Sequence, residues 1–154
     1  MKSHVLFAAA VLPWLTLLAP AAAATFRVDD SATIPLESSA NLRWRQLAPS
    51  RGGDNTVEGS TTVQVRLNLA PWLRRNGRVF LVLPEQPAGR VAVRWTTQGR
   101  LLPGQLVSGQ RALVFAGPIA SPLVDETLVL KIETDGTRLS STSRLNFHFE
   151  IDVD

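Results

Sequence analysis

The chain predicts an all-β protein: a single antiparallel β-sandwich of seven to eight strands, preceded by a cleavable signal peptide. Three observations carry this. Apolar and polar residues alternate with a period of two over most of the chain beyond residue 24, and helical periodicity is almost absent. Turn chemistry recurs at short intervals: Ala48–Asn55 (APSRGGDN), Asn76-Gly77, Pro84–Gly89 (PEQPAG), Pro103-Gly104, Gly117-Pro118 and Asp135-Gly136. Finally, no linker or repeat divides the chain, so residues 25–154 read as one domain.

Residues 1–24, MKSHVLFAAAVLPWLTLLAPAAAA, have the pattern of a secretory leader. Lys2 supplies the charged start, Val5–Leu18 the apolar stretch, and the alanines after Pro20 the A-x-A cleavage sites. The stretch is too short and wrongly flanked for an ordinary membrane span. The expected product is periplasmic, or secreted or held at the cell surface, with no stable membrane span once the leader is removed.

The elements follow in order. Ser31–Leu36 is a short strand whose Pro35 confines it to an edge or a strand end. Asn41–Leu47 sets Leu42 and Trp44 opposite Arg43 and Arg45. Thr61–Leu69 points Val63, Val65, Leu67 and Leu69 inward, with Gln64, Arg66 and Asn68 outward. Ala70–Arg75 is the one plausible helical turn, with Pro71 suited to its first position. Arg90–Thr96 alternates Val91, Val93 and Trp95 with Arg90, Ala92 and Arg94. Arg78–Leu83, Ala112–Ala116 and Thr127–Glu133 are nearly continuous apolar runs and read as strands covered on both faces. Arg144–Asp154 has the clearest pattern: Leu145, Phe147, Phe149, Ile151 and Val153 on one face, Asn146, His148, Glu150, Asp152 and Asp154 on a wet one. Trp44 and Trp95 therefore belong to the core.

Composition excludes several chemistries. The 154 residues contain no cysteine, so thiolate zinc sites, thiol nucleophiles and disulfides are ruled out, and with no lipobox a lipoprotein anchor is not expected. Without disulfides the domain must rest on its apolar core, and its size allows one. The isoelectric point near 10.5 does not signal a nucleic-acid surface. Beyond residue 24 the chain has fifteen cationic side chains against thirteen acidic ones, with no tyrosine and a single lysine, Lys131. Few groups titrate between neutrality and the arginines, and acids are interspersed with the cations. Nucleic acid is not an expected partner.

Candidate chemistry is sparse. His148 is the only histidine outside the leader, so no metal site and no cofactor is expected. Glu150, Asp152 and Asp154 share a strand face and read as partners for cross-strand arginines rather than as calcium ligands. No G-x-S-x-G elbow accompanies His148, and no carboxylate pair is marked out for glycosidase work. The glycine-containing stretches Gly99–Gly104 and Arg51–Asp54 read as hairpin loops, lacking a phosphate-binding G-K-[ST] or an uninterrupted R-G-D. The expectation is a protein that is not an enzyme.

Two binding features remain. Arg43, Arg45, Arg66, Arg90 and Arg94 all occupy polar strand positions, and neighbouring strands would bring them onto one face. Guanidinium groups so arrayed suit an anionic glycan, a lipid headgroup or an acidic protein. Fourteen arginines to one lysine equally fits a general preference for arginine at basic surface positions, with the acids of the last strand neutralising the row. Trp72, beside Arg74 and Arg75, either stacks on a sugar or partner at the rim or caps the end of the sandwich. The chain ends on its strongest strand, and Thr25–Leu36 alternates only weakly, so both termini are candidate edges for strand addition. The functional expectation is an exported binding or assembly module. It would join a protein partner through sheet edges, as pilus and surface-appendage subunits do. A carbohydrate- or anionic-polymer-binding module is the alternative, and a secreted hydrolase comes third.

Overall fold

The computed structural model describes residues 24–47, 51–87, 89–139 and 144–154. The expected leader lies outside the described residues apart from Ala24, and so do the first three residues of the Ala48–Asn55 turn. Among the described residues ten strands form: β1 (Ala24–Arg27), β2 (Ile34–Pro35), β3 (Arg43–Trp44), β4 (Thr56–Asn68), β5 (Asn76–Leu83), β6 (Val91–Thr97), β7 (Gly104–Val107), β8 (Gln110–Pro118), β9 (Leu123–Asp135) and β10 (His148–Val153). They build two antiparallel sheets. The smaller runs β1-β10-β5-β8; the larger runs β2-β4-β9-β6-β7, with β3 beside β2 on the same edge of β4. No helix among the described residues is long and apolar enough to cross a membrane.

Every strand expected from the alternation forms, at least in part. The count of seven to eight is corrected to ten because β1 and β7 have only four residues each, too few for a period of two to stand out. The proposed helical turn is a single 3-10 turn, Ala70–Trp72, entered through Pro71. Pro35 sits in the two-residue edge strand β2, where its missing N–H costs no ladder bond.

β4 and β9 form the spine of the larger sheet, paired from Thr56↔Asp135 to Asn68↔Leu123 without a break. Their inward residues Val63, Val65, Leu67, Leu128 and Leu130 meet Val79, Leu81, Leu83, Phe149 and Ile151 of the smaller sheet. Such a core works because each strand contributes only alternate residues to it. The three strands read as covered on both faces are corrected accordingly: β5 and β9 alternate buried with open positions, and β8 is an edge strand. The run ALVFA looked continuous because β8 carries a bulge. The register shifts from Val79↔Phe115 to Phe80↔Leu113, so Val114 is an extra residue turned fully inward while Leu113 stands 37% exposed.

Two further expectations are corrected. β10 is not an uncovered terminal edge, because β1 pairs along it from Ala24↔Val153 to Arg27↔Glu150. Trp44 is not core: β3 is a two-residue edge strand, and its indole is 40% exposed. Trp95 does reach the centre, at 1% exposure, and its indole N–H donates to the Leu102 carbonyl at 2.8 Å. Gly104 lies against that ring. A Cβ there would stand 2.7 Å from Trp95 Cζ2. Gly104→Ala should therefore lower unfolding free energy by about 1–2 kcal/mol in urea titration.

Candidate functional site

The five arginines do belong to one sheet. Arg43 and Arg45 lie on and just beyond β3, Arg66 on β4, and Arg90 and Arg94 just before and on β6. β9, however, runs between β4 and β6 and carries acids into the row. Arg66 pairs with Asp125 across the β4–β9 ladder, at 3.0 Å, and Arg43 stands opposite Glu58. Arg45 is held by three carboxylates, those of Glu133 at 2.8 Å, Glu58 at 3.5 Å and Asp54 at 3.6 Å. Lys131 completes the cluster through Glu58 at 3.1 Å and Glu133 at 3.7 Å. Its hydrogen bond holds the Glu58 carboxyl below the ordinary carboxylate range, and the hydrogen bond that Arg45 donates to Glu133 raises Arg45 above its own. Among the described residues Arg43, Arg90 and Arg94 form no ion pair; Arg94 stands beside Lys131 and donates to Gln105 at 3.4 Å. The face is an interleaved ion-pair lattice rather than a band of one sign.

At the β2/β3 edge this face becomes concave. The chain follows β4 in register as far as Leu36, whose N–H donates to Thr62 O at 2.9 Å, and resumes at Arg43↔Glu58. Six residues, Glu37–Leu42, thus pass only three of β4, Gly59–Thr61, and the surplus leaves the ladder with Ala40 packed against the core. The result is an open groove of about 790 Å³. Glu37, Ser39, Asn41 and Arg43 line its outer side, and Ser60, Glu58 and Lys131 its floor. Gly59 allows the close approach: a Cβ there would meet the Asn41 carbonyl oxygen at 2.6 Å.

Trp72 is not a rim residue. It is 9% exposed and packs against Phe26 of β1, ring centroids 6.0 Å apart, so it closes the end of the sandwich. The flanking Arg74 N–H donates to Ile119 O, and Arg75 reaches the Asp154 carbonyl.

On the outer face of the smaller sheet the acids of β10 have partners on β10 itself and on β1 and β8. His148 Nε2 meets Glu150 at 3.2 Å, and Arg111 of β8 lies over the Phe80 ring and reaches Glu150 at 3.7 Å. The expectation of a wet face is corrected at Asp152, which is only 6% exposed. Its carboxylate accepts from Thr25 Oγ1 at 2.6 Å and from both terminal nitrogens of Arg111 at 3.2 Å. β1 and β8, the two edges of that sheet, are thereby tied to one buried charge. Among the described residues no three His, Asp or Glu side chains are grouped to hold a metal ion.

The sequence reading missed the groove and the Thr25–Asp152–Arg111 bridge. A signal for the groove was present: the small polar run Glu37–Asn41 interrupts what would otherwise be one edge strand from Ile34 to Trp44. Comparison with protein-family models, with curated proteins and with solved structures gives no match to this chain.

Proposed function

We propose that this is an exported, non-enzymatic β-sandwich protein that serves as a binding or assembly module in the periplasm or at the cell surface. Its protein partner engages the β1 edge of the smaller sheet. One observation carries the reading: the sheet ends on a four-residue strand at the start of the described chain, exposed at every position, with no strand on its outer side among the described residues. The ladder beneath it stops early. Val28 N–H still donates to Phe149 O at 2.9 Å, but the Phe149 N–H is taken by the Asp30 side chain at 3.2 Å as the chain turns away. Among the described residues, no strand lies beside Arg144–Phe147. A longer incoming strand could add outside β1 or displace it and follow β10 further.

Deleting Thr25–Leu36 should then change the oligomeric state or abolish capture of the partner, read by light scattering and by pull-down from an envelope extract. A truncated protein that stays monomeric and keeps every partner of the intact chain would refute the proposal.

A further inference from the structure

We infer that the groove beneath Glu37–Leu42 is a binding site for a neutral, hydroxyl-rich ligand, an oligosaccharide of a few sugar units. The inference is independent of the β1 edge, which belongs to the other sheet.

The first argument is shape. At about 790 Å³ the groove falls within the range of small-ligand sites, and the sheet is indented there because surplus chain has been threaded past β4. The second is a rigid floor. Glu58, Lys131, Arg45 and Glu133 are locked to one another, so that wall keeps its shape without a ligand.

The third is an unspent set of polar groups above that floor. Among the described residues, the side chains of Glu37, Ser39, Asn41 and Arg43 are tied into no ion pair. A carboxylate, a hydroxyl, an amide and a guanidinium together offer the paired donors and acceptors that vicinal hydroxyls satisfy. The backbone adds to them. Thr62 and Thr56 turn their carbonyls to this edge, accepting from Leu36 and Arg45, and Ser60 shares their register where the neighbouring chain has left the ladder.

Charge decides the class of ligand. Arg43, Arg45 and Lys131 meet Glu37, Glu58, Glu133 and Asp54 in and around the groove, so a polyanion gains no net attraction. A neutral polyol loses none.

The test is a titration of ¹⁵N-labelled protein with maltotetraose, cellotetraose, xylotetraose and chitotetraose, with a sulfated heparin tetrasaccharide for comparison. At least one neutral probe should shift the amide signals of Asn41–Arg45, Gly59 and Ser60. Asn41→Ala should weaken that binding by about tenfold or more. The inference is overturned if no neutral probe moves those signals, if only the sulfated probe does, or if Asn41→Ala binds as the parent does.

Discussion

Trp95→Ala is expected to remove about 4 kcal/mol of unfolding free energy. The substitution opens a void at the centre of the larger sheet, where the indole is almost wholly buried, and it orphans the Leu102 carbonyl. Domains of this kind are stable by only about 5–15 kcal/mol, and no disulfide restrains the unfolded chain. The variant should therefore be largely unfolded in urea that leaves the parent native. Trp95→Phe keeps most of the volume and loses the hydrogen bond, so it should sit between the two. The comparison with Trp44→Ala is sharper still. By sequence pattern alone the two tryptophans are equivalent inward residues, yet the edge position of Trp44 limits its expected cost to about 1 kcal/mol. Equal losses at the two sites would contradict the placement of β3.

Asp152→Ala is expected to cost about 2–3 kcal/mol near neutral pH, because it strips a buried acceptor from Thr25 and from the Arg111 fork. Arg111 keeps Glu150 and the Phe80 face, which limits the damage. The pH dependence has a defined sign. The folded carboxyl is held below its ordinary value, first by the Thr25 hydroxyl bond and then by Arg111, against an opposing desolvation. The unfolded chain therefore binds the proton first. The contribution is complete above about pH 4 and is lost as pH falls through the depressed folded value. Urea midpoints of parent and variant should converge progressively in acid. A deficit that stays constant as pH falls would show that the carboxylate's charge is not what the bridge uses.

How legible this molecule was depended on strand length and on neighbours. Alternation over six or more residues identified β4, β6 and β10 and their inward faces, because a half-buried strand imposes its period directly on the chain. β8 misled through Val114: one inserted residue makes a one-sided edge strand look apolar on both sides. β1 and β7 were too short to show a period. Pairing across sheets is a non-local property, and here it decided the site. Alternation put the five arginines on polar strand positions but left their sheet open, and only the topology shows that they share one and that β9 interleaves them with Asp125 and Glu133. Trp72 was ambiguous for the same reason, since its partner Phe26 lies on the far side of the sequence from β5. The groove depends on a mismatch of six residues against three, which is visible only once both ends of the excursion have a register.

The proposal requires that β1 open locally, against the Thr25–Asp152 bond and the Phe26–Trp72 contact, while the rest of the sandwich holds, and native-state hydrogen exchange of the intact protein measures that directly. The amides of Phe26 and Val28 should exchange through a local opening that is cheap and nearly insensitive to added urea, while those of Val65 and Leu130, within the unbroken β4–β9 ladder, exchange only on global unfolding. If Phe26 and Val28 are instead protected to the same free energy and with the same urea dependence as Val65 and Leu130, β1 is a permanent member of the sheet and the edge cannot serve as proposed.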